Sequence, residues 1–160
     1  MIESQELIYM LERNLTTIRK QVEGLTHEDS LLQLPFRGNC LNWTVGHIVM
    51  HRDYMLKLLG GQPVLDEVET ELYATGSDPI TDASQAINFE TLMEHLQTTH
   101  IRVLEILQTR TGDELAIIVA DDERQRSLGQ MLFALGWHET YHVGQTEILR
   151  QLAGTDDRVI

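Results

Sequence analysis

A single cysteine, Cys40, excludes an internal disulfide and suits a reducing compartment. Basic residues are scarce: 12 Lys and Arg stand against 25 Asp and Glu, a formal charge of −13. A chain this acidic repels phosphate backbones and anionic lipid, which makes nucleic acid and membrane surfaces poor partners. No apolar run approaches the ~20 residues that cross a bilayer. The opening MIESQELIYMLERNL is amphipathic and charged, unlike a secretory signal. Proline is rare, at 3 residues, and no repeat, phosphate loop, dinucleotide fingerprint or glycosidase-like carboxylate pair is present. The acidic run DEVETE at 66–71 lacks the spacing and glycine of a calcium loop and reads as solvated charge. These absences leave a soluble, cytoplasmic, single domain over residues 1–160.

What is there is helical periodicity. Ile8, Leu11, Leu15, Ile18, Val22 and Leu25 step by three and four, one stripe of a helix. After a break at LPFRGNC (34–40), Asn42 is placed to cap a second helix that stops at Gly60-Gly61. Residues 61–83, with Pro63, Gly76 and Pro79, form a long connection, which in a bundle signals a crossover between parallel neighbours. A third helix is expected from Asp82 or Ser84 to about Thr111, with Phe89, Leu92, Leu96, Val103 and Leu107 inward. LAIIVA (115–120) and DDERQR (121–126) read as a small hairpin or extended loop. Ser127-Leu128-Gly129-Gln130 is a capping box that opens a fourth helix ending near Gly154. The reading is all-α: a four-helix bundle, up-down-down-up, with a long crossover between helices two and three.

The fourth helix carries an inward stripe of Leu128, Met131, Leu135, His138, His142, Gln145, Leu149 and Leu152. Three polar residues thus fill the middle of an apolar seam, where each unpartnered group costs about 1–3 kcal/mol. Histidines at i and i+4 share a face and can reach one metal ion at ~2.0–2.1 Å. The second helix offers Thr44, His47, His51, Tyr54 and Leu58 on one stripe, and so a second such pair. If the stripes face each other, three or four imidazoles meet around one point. His27, His95 and His100 read as surface or loop residues, with His100 near the inward face of helix three. Cys40 reads as partly buried packing.

His138-Glu139-Thr140-Tyr141-His142 also fits the H-E-x-x-H pattern of zinc peptidases. That site needs a third protein ligand downstream, and no histidine follows His142. Glu139 lies about 100° around the helix from His138 and reads as a flanking or solvated residue. The peptidase remains a minor alternative.

The segment Asn42-Trp43-Thr44-Val45-Gly46-His47-Ile48, with the ending His138, His142, Gly144 and Gln145, resembles the DinB-like family. That superfamily includes the YfiT-type metal-dependent hydrolases, and the likeness covers nearly the whole chain. The resemblance implies the up-down-down-up bundle and a divalent metal, commonly zinc or nickel, on three histidines. These map onto His47, His138 and His142. It also implies frequent homodimers and thiol-dependent S-transfer or isomerisation with a low-molecular-weight thiol and a small-molecule substrate. His51 departs from the pattern. It is a fourth ligand, a hydrogen-bond partner behind the ligands, or a residue facing elsewhere, and Gln145 is a second residue of that supporting kind.

Three functional readings follow. An open three-histidine site would activate water or a thiol; Gln145 and Tyr141 could orient ligands, and Asp53 could act as a base. A closed site with His51 as a ligand would be structural. A buried histidine network would need no metal.

Overall fold

The computed structural model describes residues 2–119, 125–155 and 157–159. Its elements are α1 (Ser4–Val22), α2 (His27–Ser30), α3 (Leu41–Leu59), α4 (Glu67–Leu72), α5 (Phe89–Leu107), α6 (Gly112–Leu115) and α7 (Leu128–Leu152). Four long helices, α1, α3, α5 and α7, make the body of a bundle, and no strand occurs among the described residues. The α3 helix packs most extensively on α5 and α7, and α1 on α7.

Helix boundaries follow local chemistry. Ser127 and Gln130 form the expected capping box at the start of α7. Gly60 closes α3 in the left-handed conformation, φ 81°. Two expected starts shift. Cys40, not Asn42, sits at the N-cap of α3, because the Asn42 side chain turns inward to partners described below. The α5 helix begins at Phe89 instead of near Asp82 or Ser84. Asp82 spends its carboxylate on Ser84 in a local turn, and the Asn88 side chain accepts from the Glu90 amide as the true cap. It ends at Leu107, before a separate capped turn, α6. The DEVETE run is not plain coil: Asp66 and Glu69 form a reciprocal capping box that opens α4.

The LAIIVA segment reaches an antiparallel bridge, Ile118 to Ser127, and the Leu128 amide donates to the Ile117 carbonyl. Residues 120–124, the heart of the expected turn, lie outside the described residues.

Two apolar clusters fill the bundle. One joins Leu15, Ile18, Val45, Ile48, Leu92 and Val143, from the C-terminal halves of α1 and α7 and the N-terminal halves of α3 and α5. The other joins Leu7, Leu11, Leu56, Val103, Leu107 and Leu132 from the opposite halves. At mid-length, polar side chains of α3 and α7 interrupt the packing.

Candidate metal centre

The i, i+4 pairs of α3 and α7 face each other, as their stripes require. His47 Nε2 lies 3.2 Å from His138 Nε2 and 3.1 Å from His51 Nε2, and His138 Nε2 lies 3.1 Å from His142 Nε2. His47, His51 and His138 each offer one ring nitrogen within 4.8 Å of the others, a group that could hold a metal ion. Burial pushes every one of the four rings toward the neutral form. His47 falls to about 4 and His51 to about 3, while His138 and His142 are also lowered. Their neighbours reinforce the trend for His47 and His51, since a charged ring would repel the others.

Neutral imidazoles hold one proton, and the surroundings decide where. His47 Nδ1 is 2.7 Å from the Tyr73 carbonyl, which only accepts, so the proton sits on Nδ1 and Nε2 carries a lone pair. His142 Nδ1 is 2.7 Å from Gln145 Oε1, with the same result. His51 Nδ1 is buried with no partner. An unpartnered acceptor is tolerated better than an unpartnered N–H, which places the His51 proton on Nε2. The donor set passes a simple fit test. Nitrogens at ~2.0–2.1 Å from a tetrahedral ion stand about 3.3 Å apart, close to the separations of His47 from His138, of His138 from His142 and of His47 from His51, so the spacing admits His51 as readily as His142.

The segment around His47 is built to hold that ring. The Trp43 indole stacks on it at 4.5 Å with planes 14° apart. Trp43 itself is anchored through Nε1 to Ser77 Oγ, at 2.9 Å. Tyr73, fully buried, donates its hydroxyl to Asn42 Oδ1 at 2.9 Å and accepts from the Ile87 amide at 3.1 Å. Asn42 Nδ2 donates to the Ile87 carbonyl at 2.9 Å. Gly46 leaves the space that the Tyr73 ring occupies; a Cβ there would come within 2.3 Å of it. Asn42, Trp43 and Gly46 therefore dock the crossover so that one backbone carbonyl meets His47. Sequence reasoning missed Tyr73, because nothing in a connecting segment marks a residue that acts through its backbone.

Other expectations are corrected. Glu139 is neither flanking nor solvated: it is 1% exposed and forms a two-pronged ion pair with Arg52, at 2.9 and 2.7 Å. Arg52 also reaches the Leu11 and Leu96 carbonyls. A carboxylate committed in this way cannot serve as the general base of an H-E-x-x-H peptidase, and that alternative falls. Asp53 is no free base either, because its carboxylate accepts from the Val64 and Leu65 amides and caps the start of the crossover. Tyr54 is exposed despite its place on the histidine stripe. His100 is buried, while His27 accepts from the Phe89 amide, so neither is a plain surface residue. Cys40 is fully buried, and burial raises its thiol pKa.

Beside His142 opens a cavity of about 290 Å³ between the 34–39 loop, the first turn of α3 and the second half of α7. His142 and Gln145 form part of its wall, and Trp43 and Tyr141 flank them.

No curated protein matches the chain. The crystal structure of a conserved protein from Enterococcus faecalis is similar, with a TM-score of 0.74 over 97% of this chain and 99% of that one. At 15% identity this likeness speaks for the fold alone. The sequence model described as mycothiol-S-transferase matches residues 6–154, from the first turns of α1 past the end of α7. That span takes in both histidine pairs and the Tyr73 segment that orients one of them. The chain therefore belongs to the mycothiol-S-transferase family of DinB-like proteins.

Proposed function

We propose that the chain is a metal-dependent S-transferase in which His47, His138 and His142 hold a divalent ion, zinc or nickel, and a low-molecular-weight thiol is one substrate. The observation that carries this is that the Nδ1 atoms of His47 and His142 each lie 2.7 Å from an oxygen acceptor. Tyr73 O and Gln145 Oε1 take the Nδ1 protons of His47 and His142, which leaves two Nε2 lone pairs facing His138. Metal-bound histidines characteristically have such partners.

When bound, a divalent cation lowers the pKa of a coordinated thiol and makes it a nucleophile at neutral pH. The transfer itself balances simply. The sulfur gives up its proton and forms a bond to an electrophilic carbon of the acceptor. The bond from that carbon to the leaving group breaks with its electron pair, and the leaving group carries the proton away directly or through water. In this reading His51 is no ligand; its Nε2–H donates into the space beside His47. Trp43 holds the His47 ring flat, and the apolar walls near His142 keep water from competing with the thiol.

A histidine network without metal has one observation in its favour: His51 can donate to His47, and His138 to His142, across the 3.1 Å gaps. Elemental analysis separates the readings. Wild type should carry roughly one equivalent of zinc or nickel. His47→Ala, His138→Ala and His142→Ala should lose it, and His51→Ala should keep it. The loaded protein should then join mycothiol or another small thiol to monobromobimane. Metal loss in His51→Ala would mean a closed, structural site. No metal in wild type after reconstitution would leave the bare network.

A further inference from the structure

The cavity beside His142 is not needed to hold a metal, and its chemistry is specific. Leu34, Phe36, Trp43, Tyr141, Ile148 and Leu149 are half of the residues that line it. Phe36, Tyr141 and Ile148 are 62, 58 and 53% exposed, so large apolar groups stand open at its rim. Among the described residues that line it, Arg37 is the one charged side chain, and no hydrogen bond or ion pair engages it. Of the other polar side chains in the wall, the Thr44 hydroxyl donates to the Cys40 carbonyl and Gln145 Oε1 accepts from His142, which leaves Asn39, the Gln145 amide nitrogen and the Tyr141 hydroxyl beside Arg37.

We propose that this cavity receives the acceptor of the transfer, and that the acceptor is a small, flat, apolar molecule carrying one carboxylate or similar anionic group that pairs with Arg37. The proposal rests on the thiol-transfer reading of the metal centre. A polar thiol rich in hydroxyls and amides would exhaust these few partners and leave its remaining groups against Leu34, Phe36 and Ile148. A ring system instead buries apolar area against the exposed Phe36 and Tyr141 rings at the rim. The volume, near the lower end of the ~300–1,000 Å³ usual for ligand pockets, limits it to one or two rings. The anionic group is argued from charge. A chain at −13 repels anions in general, so an unpaired arginine at the mouth of an apolar cavity selects for an anion locally. The His142 wall then places the far end of the molecule toward the proposed ligands.

The probes are 4-phenylbutyrate and its neutral counterpart 4-phenylbutanol, titrated calorimetrically into the protein as purified and again after chelator treatment. The chelated arm removes direct metal binding as a source of carboxylate preference. The acid should bind about five- to tenfold more tightly than the alcohol in both preparations. Arg37→Gln should abolish that preference while leaving alcohol binding within about twofold. Ile148→Asp should weaken both probes at least about tenfold. Both substitutions are at exposed positions, and thermal melts of each variant check that the fold is intact. Equal binding of the two probes, a preference that survives Arg37→Gln, or no binding of either at millimolar concentration overturns the proposal.

Turnover locates the occupant. In the bimane assay 4-phenylbutyrate should compete with the electrophile and not with the thiol; competition against the thiol would assign the cavity to the other substrate and overturn the proposal. If the probes bind as expected but no thiol is transferred, the transferase reading fails and the anion-selective apolar site stands. If transfer proceeds and the probes do not bind, the cavity assignment fails alone.

Discussion

Arg52 and Glu139 meet as a two-pronged ion pair at the middle of the bundle, 2.9 and 2.7 Å apart, with both side chains closed to solvent. Each follows a histidine of the cluster in sequence, His51 on α3 and His138 on α7. The pair therefore fixes the register of the two helices beside the rings they carry. Arg52 also bonds to backbone carbonyls of α1 and α5, so one side chain touches all four long helices. Removing one partner strands a buried charge, at a cost of about 3–5 kcal/mol, whereas replacing both by apolar groups can be nearly neutral. Glu139→Gln should lower the urea-unfolding free energy of the chelated protein by about that amount. Arg52→Met combined with Glu139→Leu should recover most of the loss. A Glu139→Gln cost below ~1 kcal/mol would show that the pair is not isolated from water.

Gly46 makes room for Tyr73. Gly46→Ala puts a Cβ within 2.3 Å of the Tyr73 ring, in a core where such overpacking costs about 1–3 kcal/mol. The displaced Tyr73 would also withdraw its carbonyl from His47 Nδ1. Metal affinity should fall about 10–100-fold, the usual effect of losing a group that orients a ligand. A competition titration against a chromophoric chelator measures it. Val45→Ala, on the neighbouring buried position, serves as the comparison: similar destabilisation with unchanged metal affinity ties the effect to Tyr73.

The periodic parts of this fold were legible because burial imposes period on sequence. The α1 stripe from Ile8 to Val22 and the four histidines occupy the faces that their three- and four-residue steps require, while Leu25 falls beyond the helix end at Val22. The crossover was harder. Asp82 and Ser84 look like a helix start, but their side chains close a local turn, and the true cap lies at Asn88. Tyr73 contributes a carbonyl, which every residue has, so no residue type advertises it. Glu139 was misread for a different reason. Position on a helical wheel separates it from the histidine face, yet cannot tell solvent from a buried arginine on another helix. Arg52 carried no signal of its own, since a lone basic residue in an apolar helix is read as surface until its partner is known.

Gln145 stands behind His142 as Tyr73 stands behind His47. Gln145→Leu would leave the His142 Nδ1–H without its acceptor at 2.7 Å, in a nearly isosteric side chain. Metal affinity should drop about 10–100-fold while the apo protein changes stability by less than ~1 kcal/mol, because Gln145 is only half-buried. Gln145→Glu should restore affinity, since a carboxylate accepts the same hydrogen bond. If Gln145→Leu binds metal as tightly as wild type, His142 is not a ligand whose tautomer matters, and the three-histidine set needs revision.

Acid should destabilise the metal-free protein in a defined window. His47 and His51 sit at about 4 and about 3, below the 6.5 of an unfolded histidine, because burial penalises their charged forms. Above pH 6.5 these rings are neutral in both states and add no slope. As the pH falls below 6.5 the unfolded chain takes up protons that the folded chain refuses, so folding loses ground until the folded values are reached. The loss is at most about 1.4 kcal/mol per pH unit for each ring, and less in practice. His100, lowered to about 4 by burial and then by Arg52 and Arg19, adds a share of the same sign from outside the cluster. Urea unfolding at pH 7.5, 6.5, 5.5 and 4.5 in the presence of chelator should therefore show stability flat at first and then declining. His47→Leu with His51→Leu should flatten the decline, and His100→Leu should reduce it less. The difference between wild type and the double variant cancels the carboxylates, which titrate in both. Equal slopes in the two proteins would mean that the rings open to water and take up protons without unfolding. In that case the cluster is a loose polar seam instead of a dry, neutral set of donors, and the case for a preformed metal centre fails with it.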